Sequence, residues 1–528
     1  MGGGEGSLGI GAYLRILRAD MASVPLEREP STRLLIGLLL VAALVPRLVV
    51  FPVNENRFGD AVVRTELAER WLKKPHLIES FSDGALQFGP LHVYLVGVAL
   101  TVLDREDAGR AVSLLFGVLS VVPLFLLTRR LFGWRAGVWA GLGFAVWGMH
   151  VQFSTTAGSE AVALFLMLCV FALYAQAFEE RRFGPVFGAA VVLNLACALR
   201  YDAWLYIPLL ALLPVLWAKD RVAAITLAVV FGLMCLPFPL WWMQGNELAH
   251  GDPFYPIRFI DAFHRDWVQG AMGGWRQWWF RVQSLFFWPG TAVLTLTPGV
   301  AVLGMVGMVK AWRERPETRW LVLAALIPTA YYTFRAAVLA NFVPLGRFTV
   351  TQLVLLLPFV ALGFSVWTGA WSERVRRLAA GGVMALALAV PVAMGLYTFR
   401  VDGGSRELLR PVSPTSTNLQ PVMRAVRFIE QEVTAKGGTL ALDVEASYQD
   451  LQLGFFTGLP DERLVRLRWP GFRERLEQER PEYLVRFDEG TLVREPGVKL
   501  EGRTLTVGSL TYEEVEGFDA PVHIYRRR

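Results

Sequence analysis

Long apolar runs recur along the first 400 residues of this chain, and nothing else constrains its fold as strongly. They lie at 34–51, 88–103, 111–128, 136–153, 160–178, 185–199, 203–218, 222–242, 289–311, 320–338, 347–369 and 378–398. With 54% of its 528 residues hydrophobic, including 34 Phe and 18 Trp, the chain carries more such runs than a soluble fold of this length buries. It reads as an integral membrane protein.

A membrane-crossing helix needs roughly 20 residues, so the shorter runs are the weaker spans. The excess of positive charge on cytoplasmic loops assigns Arg129, Arg130 and Arg135 inside, with Arg181, Arg182, Lys219, Arg221, the Lys310 to Arg319 loop and the Arg374 to Arg377 loop. A full crossing by 88–103 would put the 129–135 loop outside, so that run is expected to dip into the interface and return. About eleven crossings remain, with the N-terminus inside and the C-terminal part outside. The alternative lets 88–103 cross and 185–199 fail to.

Residues 1–32 read as a cytoplasmic tail. Run 34–51 is too long for a signal-peptide core and lacks a small-residue cleavage site, so it is expected to stay as the first span. Three outer pieces follow. Segment 52–110 opens with an apolar stripe at helical spacing, Val63, Leu67, Ala68, Trp71 and Leu72, expected to lie on the bilayer. Segment 243–288 holds Trp267, Trp275, Trp278, Trp279, Phe286, Phe287 and Trp288, which read as an interfacial belt rather than a sugar-stacking platform. Residues 401–528 lose the apolar runs after a Ser/Pro/Thr linker at 411–418. An amphipathic helix near 419–435, the buried-strand pattern Gly438-Thr-Leu-Ala-Leu-Asp-Val444 and strand-like runs at 482–487 and 503–512 predict a soluble outer α/β domain.

The formal net charge is +6, and the basic residues sit in short loops rather than in a stripe interleaved with aromatics, which argues against nucleic acid as a partner. Cys169, Cys197 and Cys235 all lie inside apolar segments, the ordinary place for small buried thiols. They predict neither disulfide, metal site nor nucleophile.

Charged residues at the outer ends of apolar runs are the candidates for chemistry. Asp60 follows the first span, Glu160 opens run 160–178, Arg200 and Asp202 close 185–199, and Arg347 opens 347–369. Each also has a plain structural reading. Asp60 is equally a helix N-cap and Glu160 a carboxylate favoured by a helix N-terminus. Arg200 and Asp202 are equally an interfacial ion pair. Arg347 is harder to dismiss, because a lone arginine at an outer mouth runs against the charge rule. Converging on one face of the membrane, these groups suit chemistry on an anionic lipid.

The chain resembles the GT-C superfamily of membrane glycosyltransferases, and more closely the branch of the protein O-mannosyltransferases and the bacterial lipid A aminoarabinose transferase. The resemblance rests on Phe58-Gly-Asp60, Phe88-Gly-Pro-Leu-His-Val-Tyr94, Phe153-Ser-Thr-Thr-Ala-Gly-Ser-Glu160 and Asn341-Phe-Val-Pro-Leu-Gly-Arg347-Phe348. It spans roughly residues 33–400 as architecture, and the tail is similar to the outer α/β domain of some members. It implies an all-α polytopic GT-C-type domain with interfacial helices, followed by the C-terminal α/β domain.

Position by position, the resemblance implies that Asp60 and Glu160 are the catalytic acidic residues of the first and second outer loops. Arg347, with Arg200 as a second contact, would hold the donor phosphate, with Gln87 and His92 flanking the Pro-Leu turn as further donor contacts. Asp202 and Arg258 complete the candidate set. The family often has a second acidic residue after the first, where this chain has Ala61, and Glu160 stands alone in its loop. A mechanism without a metal cofactor is therefore expected, although Asp60 and Glu160 together would suffice for one Mg²⁺ or Mn²⁺ if close. The implied partners are a polyprenyl-phosphate sugar donor and a lipid, glycan or protein acceptor, and the implied location a bacterial inner membrane. The reaction would need a cation for the departing phosphate and a carboxylate for the attacking hydroxyl. Two other classes remain, a non-catalytic polytopic assembly protein and a lipid or sugar transporter, the latter disfavoured by the lack of an internal repeat.

Overall fold

The computed structural model describes residues 30–52, 54, 59–75, 88–180, 183–217, 221–271, 274–401, 420–444, 449–467, 471–518 and 520–528. Most of the expected cytoplasmic tail, the 411–418 linker and Gln87 lie outside the described residues.

The membrane part begins with α1 (Thr32–Val50), α2 (Gly59–Lys73), α3 (Pro90–Ala99), α4 (Ala108–Leu119), α5 (Val121–Phe132), α6 (Trp134–Ala145), α7 (Gly148–Phe153) and α8 (Glu160–Glu180). It continues through α9 (Phe183–Cys197), α10 (Tyr206–Trp217), α11 (Arg221–Met234), α12 (Pro237–His250), α13 (Tyr255–Ala271), α14 (Trp275–Thr295) and α15 (Pro298–Glu314). The last helices are α16 (Arg319–Thr333), α17 (Val350–Val354), α18 (Val360–Thr368) and α19 (Glu373–Val401).

By length and composition, six helical stretches among the described residues can cross a membrane, or eight if each of two bent pairs forms one span. That is fewer than the eleven expected from hydropathy. Runs 136–153, 185–199 and 203–218 fold as helices of 15 residues or fewer, too short at about 1.5 Å per residue to span about 30 Å alone. Run 88–103, expected not to cross, forms only the ten-residue α3.

Run 289–311 is not one straight crossing. Thr297 takes a left-handed φ of 68°, Pro298 starts α15 without an N–H to give, and α14 and α15 meet at a 118° bend. Close packing elsewhere depends on absent side chains. A Cβ on Gly363 of α18 would stand 1.9 Å from the Leu303 carbonyl oxygen, and one on Gly307 of α15 would stand 1.9 Å from that of Phe359. The two helices thus touch backbone to backbone, the usual use of small residues between membrane helices.

The C-terminal domain comprises α20 (Gln420–Ile429), β1 (Leu440–Leu442), α21 (Gln449–Phe456), β2 (Leu464–Arg466), α22 (Phe472–Glu479), β3 (Tyr483–Phe487), β4 (Val498–Glu501), β5 (Thr504–Val507), β6 (Leu510–Glu514) and β7 (Val522–Arg527). They form one sheet in the order β2-β1-β3-β7-β6-β5-β4. Strands β2, β1 and β3 are parallel, and the rest pair antiparallel. Run 503–512, read as a single strand, is a hairpin turning at Gly508, whose φ is +59°. Side chains alternate between two cores. Leu440, Leu442, Val485 and Ile524 face α20 and α21, while Ala441, Val465, Leu484 and Tyr525 face α22.

Two expectations for the outer loops are corrected. The apolar stripe of α2 does not lie on the bilayer: Leu67 and Ala68 are buried with Val93, Val96 and Trp242, because α3 and α12 claim that face. Of the aromatic belt, Trp275, Trp278, Trp279 and Phe286 are exposed, but Trp288 is buried against Tyr332 and Phe342.

Candidate active site

Four elements carry the charged residues to one place. The helix α2 starts at Gly59, with Asp60 in its first turn, where a carboxylate meets the positive end of the helix dipole. Arg64 is one turn further along the same face. Helix α8 starts at Glu160 after a polar loop in which Gln152, Ser154, Thr155, Thr156 and Ser159 are all buried. That loop is tied down from three sides. Arg47 Nε donates to Ser154 Oγ at 3.1 Å, Asn54 Nδ2 to Thr155 Oγ1 at 2.7 Å, and Arg110 Nε to the Thr155 carbonyl at 3.0 Å. Ser113 Oγ donates to the Gly158 carbonyl at 2.9 Å.

Arg200 lies in extended backbone between α9 and the 3-10 turn Tyr201–Leu205. Just upstream, the Ala198 carbonyl accepts the Leu91 N–H at 3.1 Å, and a Cβ on Gly89 would stand 2.2 Å from that oxygen. The Phe88-Gly-Pro turn therefore needs its glycine to dock α3 beside Arg200. Arg347 comes from the 3-10 turn Gly346–Thr349.

These residues meet at a cavity of about 500 Å³, lined on its polar side by Asp60, Arg64, Arg200, Asp202 and Arg347. Arg347 Nη1 is hydrogen-bonded to Asp60 Oδ2. Arg200 donates through Nη1 to Glu160 Oε1 at 2.9 Å and through Nε to Asp202 Oδ1 at 3.0 Å. Glu160 stands behind Arg200, 4% exposed. The guanidiniums of Arg200 and Arg347 lie 5.9 Å and 5.2 Å from the Phe348 ring centre. The lining also includes Ile257, Ile260, Phe263, Tyr332 and Phe342, with a second ion pair in which Arg335 Nη2 is 2.8 Å from Asp261 Oδ1.

Arg64 differs from the other arginines. It is 6% exposed and stacks 4.2 Å from the Phe88 ring centre. Its Nη1 is buried without a hydrogen-bond partner, and no carboxylate among the described residues forms an ion pair with it. Burial lowers its pKa to about 10, so it stays a cation at neutral pH. Burial alone would raise the Asp60 carboxyl, but the charges of Arg347 and Arg64 outweigh it and hold Asp60 below its ordinary value. In the same lining, burial and the charges of Arg335 and Arg347 lower His264 to about 4, leaving a neutral imidazole whose Nδ1 accepts the Val343 N–H at 3.3 Å.

Among the sequence candidates, Asp60, Arg200, Asp202 and Arg347 line the cavity and Glu160 touches it through Arg200. His92 is fully buried on α3, with neither ring nitrogen hydrogen-bonded, and does not line the cavity. Arg258 lies on α13 with its side chain 71% exposed, 3.1 Å from Asp252, also off the cavity. Arg64, His264, Arg335 and Asp261 were not singled out from sequence. For Arg64 the signal was present, since it interrupts the apolar stripe of α2 one turn after Asp60, on the face that also carries Leu67, Ala68 and Trp71. The pair suggested for a divalent metal does not fit one here: Asp60 holds Arg347 and Glu160 holds Arg200. Among the described residues no three His, Cys, Asp or Glu side chains gather as ligands.

Residues 87–242 match the family model described as dolichyl-phosphate-mannose-protein mannosyltransferase. The match includes Glu160, Arg200 and Asp202, while Asp60 and Arg347 flank it. No curated protein matches the chain in sequence. Among solved structures, the chain is similar to ArnT from Cupriavidus metallidurans bound to undecaprenyl phosphate. That pair shares 15% identity over 93% of this chain and 97% of ArnT, with a TM-score of 0.58. The apo state of the same protein gives 14% identity, the same coverage and 0.59. The archaeal oligosaccharyltransferase AglB from Archaeoglobus fulgidus, in complex with an inhibitory peptide and a dolichol-phosphate, gives 15% identity over 86% of this chain and 69% of AglB, with a TM-score of 0.52. The chain is thus a multi-pass membrane protein with the fold of the GT-C glycosyltransferases.

Proposed function

We propose that the chain transfers a sugar from a polyprenyl-phosphate-linked donor to an acceptor at the outer face of the membrane, by inverting single displacement. The observation that carries this reading is the state of Arg64. A buried cation without an ion pair costs several kcal/mol, and an anionic ligand in the cavity removes that cost. The other arginines of the site are already engaged by carboxylates. The likeness to ArnT bound to undecaprenyl phosphate and AglB bound to dolichol-phosphate supports a lipid phosphate as that ligand.

The roles then differ from those read off the sequence. Arg64 holds the donor phosphate through its planar fork of donors. Arg347 takes over as the residue that fixes Asp60. The acceptor hydroxyl attacks the anomeric carbon from the face opposite the phosphate. As the anomeric C–O bond breaks, its electron pair leaves with the phosphate, and Arg64 stabilises the growing charge. A carboxylate held below its ordinary pKa is a weak base, so Asp60 orients the hydroxyl. The proton ends on the departing phosphate, whose second pKa is about 6. Arg200, locked between Glu160 and Asp202, shapes the wall and adds positive potential.

The test compares wild type with Asp60→Asn and Arg64→Ala in nanodiscs. It measures prenyl phosphate released from a panel of polyprenyl-phosphate sugars, with membrane extract as acceptor. Release by wild type that both changes abolish, in folded protein, supports the reading. Equal behaviour of all three proteins rejects it in favour of an assembly or transport role.

A further inference from the structure

Helix α2 belongs to two parts of the molecule at once. At about 100° per residue, Asp60 and Arg64 share one face, and Val62, Glu66 and Glu69 share the opposite one. The first face lines the cavity. The second is held by the C-terminal domain. Val62, 1% exposed, is part of the same apolar core as Val422, Ile429, Leu451 and Phe455. Arg466, at the end of β2 and 6% exposed in its side chain, reaches Glu66 with Nη2 3.2 Å from Oε1. Arg105, just before α4, donates to Glu69 at 3.2 Å and lies 4.6 Å from the ring centre of Phe455 on α21.

A fifteen-residue helix gripped along one side moves as a rod, so a shift of its outer face carries Asp60 and Arg64 with it. The grip is polar at its centre. An ion pair between largely buried partners has one low-energy geometry, whereas apolar packing alone tolerates sliding and rotation. We propose that Arg466 of the C-terminal domain is a positioning residue for the cavity, acting through Glu66 to fix the rotation of α2 and so the placement of Asp60 and Arg64. It touches no ligand itself. This rests on the glycosyl-transfer reading only for its kinetic consequence.

The test uses the full chain in nanodiscs with Arg466→Glu, Glu66→Arg and the double exchange, read by amide hydrogen exchange over 60–69, melting temperature and prenyl phosphate release. A misplaced α2 shifts both Asp60 and the phosphate-holding Arg64, so Arg466→Glu is expected to lower kcat/KM about tenfold or more, through a lower kcat together with a higher donor KM. Exchange in α2 should quicken while the strands of the C-terminal domain stay protected. The double exchange should restore both readouts. Wild-type exchange in Arg466→Glu overturns the proposal, as does a folded double exchange that restores neither quantity. Where the reversal fails to fold, Glu66→Gln repeats the comparison, and wild-type turnover and exchange there likewise overturn it. If wild type itself releases no prenyl phosphate, the glycosyl-transfer reading fails and α2 exchange alone decides the positioning role.

Discussion

At the scale of single residues, the contrast between Arg64 and Arg347 sets the strongest expectations. Arg64→Ala should lower kcat/KM by about 10² to 10³, as for loss of a charged donor aimed at a transition state. Arg64→Lys should recover only part of it, because an ammonium lacks the fork. Binding of undecaprenyl phosphate to the two variants checks this independently of turnover. Asp60 makes a prediction about acid. Burial raises its carboxyl, Arg347 and Arg64 lower it more, and the net value falls below the ordinary one. The ionised form therefore persists as pH falls through about 4, and the acid limb of a kcat/KM profile should lie below that point. Arg347→Ala removes the larger lowering charge and should move the limb to higher pH. A limb that stays put would show that Arg347 does not govern Asp60. The charged residues legible from sequence were those at the edges of apolar runs, where charge is out of place. Arg64 carried only the weaker sign of an arginine interrupting the apolar stripe of α2, and only the fold shows that it faces a cavity. Arg258, picked from the 243–288 segment, lies away from the cavity and pairs with Asp252 instead.

At the scale of elements, backbone contacts matter more than hydropathy. Gly363→Ala drives a Cβ into the Leu303 carbonyl, and forced overpacking of this kind typically costs 1–3 kcal/mol, roughly, before any backbone shift. The variant should melt several degrees lower, and a thermal melt in detergent checks it. Gly89→Ala should add a kinetic defect, since its clash with Ala198 lies beside Arg200. Hydropathy located the apolar runs well but said little about where helices break. The α14–α15 bend depends on one left-handed threonine followed by proline, a signal invisible to a window average. The C-terminal domain was legible as α/β from one amphipathic helix and the strand-like runs that follow it. The hairpin at Gly508 was missed because β5 and β6 are only four and five residues long.

At the scale of the whole molecule, Asp60 and Glu160 each hold a guanidinium, and the mechanism proposed above uses no metal. Transfer should therefore persist in EDTA, and a loss restored by Mg²⁺ or Mn²⁺ would contradict the proposed mechanism. The ties on α2 also have a history in time. Asp60 and Arg347 are 287 residues apart in the chain, and Glu66 and Arg466 are 400 apart. At 5–20 residues per second, Asp60 waits about 15–60 s during synthesis for Arg347 to be made, and Glu66 waits still longer for its partner. Through that interval α2 must be kept from settling elsewhere. A nascent chain halted before Gly346 would carry Asp60 without Arg347 and Glu66 without Arg466, so the two ties that fix this helix form only late in synthesis.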